Sequence, residues 1–252
     1  MHPVLFTIGP ITLYTYGVMM VAAFLTATWL SGEAARRLPP ELVAITDQQL
    51  VDFACYSLLG GIAGGRLLYV VLQWQWFARS PLEIFALWHG GLVWYGGFFG
   101  GLLTGWWYVR SKGLVWLRVL DQFIPFGALG HAIGRLGCFF NGCCYGKPST
   151  LWCAVWFPGH DHPALPTQLF EALGLGFLYI ALRRIQQPAV LRTPGRVFGS
   201  YLAGYGAMRF LLEYTRGDQP VFRAGLTLQQ LISIGVVGAG LVLMFRKKVR
   251  GS

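Results

Sequence analysis

Charge is what this sequence has least of. Only 12% of its 252 residues are Asp, Glu, Lys or Arg, and just ten are acidic. An ordinary soluble domain, in which roughly a quarter of residues are charged, is thereby excluded. Cysteines are also few, and their odd number, five, rules out a self-contained disulfide framework. The first apolar run lacks a basic leading segment and a small-residue cleavage site, so a cleavable leader is not expected and the first helix should remain as an anchor. Basic residues exceed acidic ones, for a net charge of +10. They fall between apolar runs instead of along one stripe interleaved with aromatics, which argues for membrane anchoring and against nucleic acid.

What is present is apolar: 55% of residues are hydrophobic and the mean hydropathy is +0.52. A spanning helix takes about 20 mostly apolar residues, so this length allows about seven spans and little besides. The expected fold is all-α, a polytopic integral membrane protein with a single domain over residues 1–252. Apolar runs predict helices from about Tyr14 to Ala35, Leu50 to Leu72, the glycine-rich stretch at Trp88 to Gly101 up to Arg110, Asp121 to Phe140, Pro166 to Arg183, Val197 to Tyr214, and Gly225 to Phe245. Residues 1–13, with Pro3, Gly9 and Pro10, cannot continue a helix easily and are expected to lie along the interface. Gly60, Gly61, Gly64 and Gly65 in the second run, and the Gly-Gly pairs of the third, predict close helix contact.

The basic residues fix an expected orientation. With the C-terminus cytoplasmic, thirteen Lys and Arg flank the cytoplasmic ends of the runs and four lie outside, a positive-inside asymmetry that places the N-terminus in the periplasm. The remaining three, Arg66, Arg135 and Arg209, fall inside apolar runs.

A charge at membrane depth costs about 2.5 kcal/mol or more and so marks a cavity, a partner or a substrate. Arg135 lies in G-H-A-I-G-R-L-G-C-F-F-N-G-C-C-Y-G, Gly130 to Gly146, around which the other candidates collect. Two guanidinium groups near the outer interface suit a phosphate ester, because each presents planar paired donors and keeps its charge. The competing reading is purely structural: Arg209 pairs with Glu213 at i,i+4, and Arg135 with Glu171 or Asp121. Arg66, near the end of its run, either faces the interior or reaches the interface. Tyr95, His89 and His131 are the candidate proton carriers. Cys138, Cys143, Cys144 and Cys153, with His160 or His162, offer zinc ligands, although C-x4-C-C lacks the usual knuckle spacing. A disulfide from Cys153 to Cys143 or Cys144 fits the same residues outside the cytoplasm.

With those residues assembled, the chain resembles the prolipoprotein diacylglyceryl transferases, bacterial membrane enzymes that lipidate lipoprotein precursors. Their signature G-R-x-G-N-F-x-N-x-E-x-x-G is matched at Gly134, Arg135, Gly137, Phe139, Asn141 and Gly146, with Cys138 in place of the asparagine and Cys143 in place of the glutamate. The resemblance continues through Tyr16-Gly17, G-G-R-L-L-Y at Gly64 to Tyr69, Trp88 to Gly97, P-T-Q-L-F-E at Pro166 to Glu171, and Y-G-A-M-R-F-L-L-E-Y at Tyr205 to Tyr214. Tyr95 stands where many members have a histidine, Leu165 where many have another, and His89 where glutamine is common.

The resemblance implies transfer of the diacylglyceryl group of phosphatidylglycerol to the lipobox cysteine thiol of a precursor protein. A thioether forms and glycerol phosphate leaves. It implies Arg135 and Arg209 on the phosphate, Glu213 orienting Arg209, Tyr95 with His89 assisting thiol deprotonation, and Tyr16, Arg66, Asn141 and Gly146 binding the head group. No cofactor and no metal are expected. The partners would be phosphatidylglycerol, lipobox precursors and membrane lipid, with the site on the periplasmic side of the bacterial inner membrane. Two other readings use the same residues: a membrane thiol or metal protein built on the cysteines, and a paralogue that binds lipid without turnover.

Overall fold

The structure, a computed structural model, describes residues 1–8, 11–87, 90–217, 220–223 and 225–246. In chain order its helices are α1 (Thr15–Ala35), α2 (Asp47–Leu72), α3 (Trp74–Phe77), α4 (Trp94–Ser111), α5 (Trp116–Asn141), α6 (Thr167–Ile185), α7 (Pro188–Leu191), α8 (Arg196–Leu212) and α9 (Leu228–Met244). All seven long ones coincide with the predicted apolar runs. Thr15–Ala35, Pro40–Leu72 and Trp116–Asn141 are long and apolar enough to cross a membrane, and Leu228–Met244 is a shorter apolar helix. Bulky side chains such as Leu25, Trp29, Leu103, Phe177 and Val242 are exposed along these helices.

Two short antiparallel pairs depart from the all-helical expectation: β1 (Val4–Ile8) with β2 (Ile11–Tyr14), and β3 (Val221–Arg223) with β4 (Leu226–Thr227). The segments of the first pair are rich in β-branched and aromatic residues, the usual composition of strands. Its end is tied down where Thr15 donates its N–H to the Pro3 carbonyl at 3.0 Å.

The chain forms two compact units, Ala44–Val119 and the pair of segments Met1–Val43 and Leu120–Ser252. In the smaller, α2 packs on α4 through their glycines. A Cβ at Gly64 would lie 2.4 Å from the Gly96 carbonyl oxygen, and one at Gly100 would lie 2.3 Å from that of Gly60. Only hydrogen fits between the backbones, as the glycine pattern predicts. Thr46 starts α2 with a reciprocal cap, accepting from the Gln49 N–H at 3.4 Å while the Gln49 side chain accepts from the Thr46 N–H at 3.1 Å.

In the larger unit α5, α6 and α8 enclose a core of Ala128, Ala132, Leu175, Leu182 and Val197, with Leu191 from α7. Backbone contact recurs between α8 and α9, where a Cβ at Gly199 would sit 2.7 Å from the Gly240 carbonyl oxygen. Asp121, buried in α5, accepts from the N–H groups of Gly195 at 2.6 Å and Phe198 at 2.8 Å. It satisfies the first turn of α8 and so serves that helix instead of Arg135. Asp121→Ala strands two buried donors, at about 1–3 kcal/mol each, and is expected to lower the thermal unfolding midpoint in detergent more than any exposed substitution on α8.

Candidate functional site

Three stripes of polar residues at helical spacing run through the larger unit. On α8 they are Tyr201, Tyr205 and Arg209, continued by Glu213 in the following turn; on α5, His131, Arg135 and Cys138; on α6, Gln168 and Glu171. Steps of three or four residues keep each set on one face. The stripes meet at Glu171, which is 4% exposed. Its Oε2 lies 3.0 Å from Arg135 Nε, and its Oε1 receives the Tyr205 hydroxyl at 3.3 Å and lies 3.7 Å from His131 Nε2. Arg135 Nε contacts the carboxylate ionically without hydrogen-bond alignment. The i,i+4 pair expected on α8 also forms, with Arg209 Nη1 2.8 Å from Glu213 Oε2, and Thr227 donates its hydroxyl to Glu213 Oε1 at 2.9 Å. Both guanidinium groups lie within electrostatic reach of the Tyr205 hydroxyl.

The end of α5 supplies the second half of the site. Gly142, at φ +74°, ends the helix in the left-handed region. The Cys143 N–H returns to the Cys138 carbonyl at 3.1 Å and the Gly142 N–H to that of Phe139 at 3.1 Å, the paired reverse bonds of a glycine-terminated helix. This turn lays Cys143 and Cys144 back over Cys138, and the three Sγ atoms lie within 4.8 Å of one another. Thr167 donates to the Cys144 carbonyl at 2.7 Å and Gln168 to the Cys143 carbonyl at 2.5 Å. The start of α6 therefore holds this loop, which is a physical reason for the P-T-Q sequence. The hydrogen bond from Cys138 pulls the Cys144 thiol down to about 5, whereas burial pushes Cys143 up. Tyr16, near the start of α1, lies within electrostatic reach of all three thiols and of Arg135, and the Cys143 thiol donates to the Cys138 carbonyl at 3.6 Å.

Gly146 joins the loop to its surroundings through the backbone. Its N–H donates to the Leu165 carbonyl at 2.8 Å, and the next N–H, from Lys147, goes to that of Thr215 at 2.8 Å. A Cβ here would stand 2.4 Å from the Thr215 oxygen and 2.6 Å from Thr167 Cγ2. Gly146→Ala is expected to cost about 1–3 kcal/mol by overpacking, read as a lowered unfolding midpoint, and to disturb Thr167 and the cysteine loop with it.

Arg66 is 7% exposed and does not reach an interface. Its Nε donates to Ile84, its Nη1 to Gly90 and Gly91, and its Nη2 to Glu83 and Ala86, all carbonyls, at 2.5 to 3.2 Å. Its guanidinium nitrogens all donate to main chain, so Arg66 staples residues 83–86 and 90–91 to α2. Among the described residues Cys153, His160 and His162 do not join the three-thiol group; the two histidine rings stack on each other at 6.1 Å and His160 packs on Tyr145 at 4.3 Å. Tyr95, in the first turn of α4, is 54% exposed in the smaller unit. His89 lies outside the described residues. Glu171 and Tyr205 are the members that a reading by single residues undervalues; the i,i+4 series on α8 is the signal that finds Tyr205.

Comparison with known proteins covers nearly the whole chain. Residues 3–246 match the family model described as prolipoprotein diacylglyceryl transferase. A phosphatidylglycerol–prolipoprotein diacylglyceryl transferase of Bordetella parapertussis is 37% identical over 250 residues, covering 96% of this chain and 94% of that protein. The proteins of the same name from Vibrio vulnificus and Pseudoalteromonas atlantica are each 34% identical, over 99% and 96% of this chain and 92% and 88% of their own lengths.

Proposed function

The chain belongs to the prolipoprotein diacylglyceryl transferase family, and from that premise we propose that it moves the diacylglyceryl group of phosphatidylglycerol to the lipobox cysteine thiol of a precursor protein. The carbon–sulfur bond forms as the carbon–oxygen bond to phosphate breaks, and glycerol phosphate leaves with the electron pair. One observation carries this reading. Arg66 has its guanidinium nitrogens engaged by backbone, whereas among the described residues Arg135 and Arg209 each face one carboxylate and both lie within electrostatic reach of the Tyr205 hydroxyl. A buried pair recovers little of its desolvation cost unless another group draws on the charge. A phosphate that gains charge as its ester bond breaks does so.

In this proposal Arg135 and Arg209 hold the phosphate, Glu171 and Glu213 fix their directions, and Tyr16 and Asn141 position the head group. Tyr95, with His89, assists deprotonation of the incoming thiol, because the thiolate is the nucleophile. Seven crossings of the bacterial inner membrane, N-terminus periplasmic and C-terminus cytoplasmic, are supported by the seven long helices and by the basic residues at their ends. The reaction would then take place on the periplasmic side.

The test is transfer by purified protein from phosphatidylglycerol to a lipobox peptide, followed by mass. Wild type is expected to form the diacylglyceryl thioether, and Tyr95→Phe to form it about 10²-fold more slowly, the scale of a lost proton carrier, with an unchanged unfolding midpoint. Lipid binding by folded wild type with no thioether formed sinks the transferase reading.

A further inference from the structure

We propose that Cys138, Cys143 and Cys144 form a three-thiolate site for a soft divalent metal ion of the zinc class, with its fourth position open to an incoming thiol. The second clause rests on the transferase reading; the first does not.

The geometry points to a metal before a disulfide. Zinc–sulfur bonds of about 2.3 Å at tetrahedral angles put sulfurs roughly 3.8 Å apart, and these three already lie within 4.8 Å of one another. A disulfide would join two of them and leave the third behind. The cluster is also built into the fold. The reverse turn at Gly142 brings Cys143 to Cys138, and Thr167 and Gln168 hold the next two carbonyls. Cys144 is the only non-glycine residue at positive φ, +65°, among the described residues. A side chain kept in that region against its own preference marks a constrained site.

Thiolate ligands select soft ions, and three of them on a dication carry one net negative charge. Arg135, three residues before Cys138 on α5, and Arg216 both act electrostatically on Cys144 and offset that charge. Three protein ligands and an open position are the arrangement of catalytic zinc sites, not of closed structural ones. A thiol that enters such a position is bound as thiolate. In the transferase reading that thiol is the lipobox cysteine: its proton passes to water, its sulfur forms the bond to glycerol carbon, and glycerol phosphate leaves with the electrons of the broken carbon–oxygen bond. The site thus supplies a way to hold the nucleophile ionised in a chain that carries Tyr95 where many relatives have histidine. It departs from the expectation, drawn from the resemblance, that no metal is used.

The experiment uses the full chain in detergent, reduced, stripped by chelator and titrated with cadmium. The expected result is one cadmium per chain with an ultraviolet thiolate-to-metal band, lost in Cys143→Ser/Cys144→Ser and in Cys144→Ser alone, and kept in Cys55→Ser and Cys153→Ser. No band in wild type, or an undiminished band in well-folded Cys144→Ser, overturns the site. In the cobalt form, a lipobox peptide is expected to shift the visible spectrum toward four-thiolate coordination, and a peptide with serine at the lipobox position is not. An unchanged spectrum overturns the open position. Equal turnover by stripped and loaded protein overturns the role in transfer while leaving the transferase reading intact. If the band and the shift are seen and neither form turns over, the site stands and the transferase reading falls.

Discussion

Replacing Arg135 by alanine is expected to lower diacylglyceryl transfer by about 10²–10³-fold, the scale on which loss of one preorganised charge-stabilising group acts. The same substitution strands Glu171, 4% exposed, without its cation. Breaking a buried pair from one side costs about 3–5 kcal/mol, so a fall in activity alone would not separate chemistry from folding. A second variant does. Arg135→Ala/Glu171→Gln removes the stranded charge and keeps an acceptor for the Tyr205 hydroxyl, which lies 3.3 Å from Glu171 Oε1. Its unfolding midpoint should recover most of the loss while transfer stays low. Arg135→Lys should fall between, because a point charge replaces a planar fork. Recovery of transfer in the double variant would make Arg135 a structural partner of Glu171 and nothing more. Rates by product mass and midpoints in the same detergent provide both readings.

The long helices could be read from the sequence because each is an apolar run long enough to fold by itself, closed by charge or proline. The two hairpins could not, since alternation in Val4–Ile8 and Ile11–Tyr14 is short and almost everything around it is apolar too. For the site, sequence spacing was informative within a helix and blind between helices. The Arg209–Glu213 contact follows from i,i+4 alone, and for Arg135 the sequence offers two acids, Glu171 and Asp121. That Asp121 goes instead to the start of α8 depends on where Gly195 and Phe198 come to rest. Arg66 shows the limit most clearly. Its position inside an apolar run marks it as a constrained charge, and only the placement of residues 83–86 and 90–91 shows that main-chain carbonyls are what it serves. Among the cysteines, spacing left Cys153 a candidate; the turn at Gly142 selects Cys138, Cys143 and Cys144.

Glu213→Ala is the substitution expected to damage stability most, by about 3–5 kcal/mol. Its side chain is 3% exposed, Oε2 lies 2.8 Å from Arg209 Nη1, and Oε1 accepts from Thr227 at 2.9 Å. Alanine leaves a guanidinium in apolar surroundings with no counter-charge and an unpartnered hydroxyl at the head of α9. The α9 cap itself survives, because Thr227 Oγ1 still accepts from the Gln230 N–H at 3.3 Å, so the loss should be local to Arg209. Glu213→Gln, which keeps the acceptor for Thr227 and loses only the charge, should therefore be milder. Arg209→Met/Glu213→Ala tests what the pair is for. If the two residues serve only each other, an apolar replacement of both should restore the unfolding midpoint and leave transfer near wild type. If Arg209 holds the phosphate, the midpoint recovers and transfer does not. The second outcome is expected, because Arg209 and Arg135 both lie within electrostatic reach of the Tyr205 hydroxyl, and a buried pair recovers little of its desolvation cost unless another group draws on its charge.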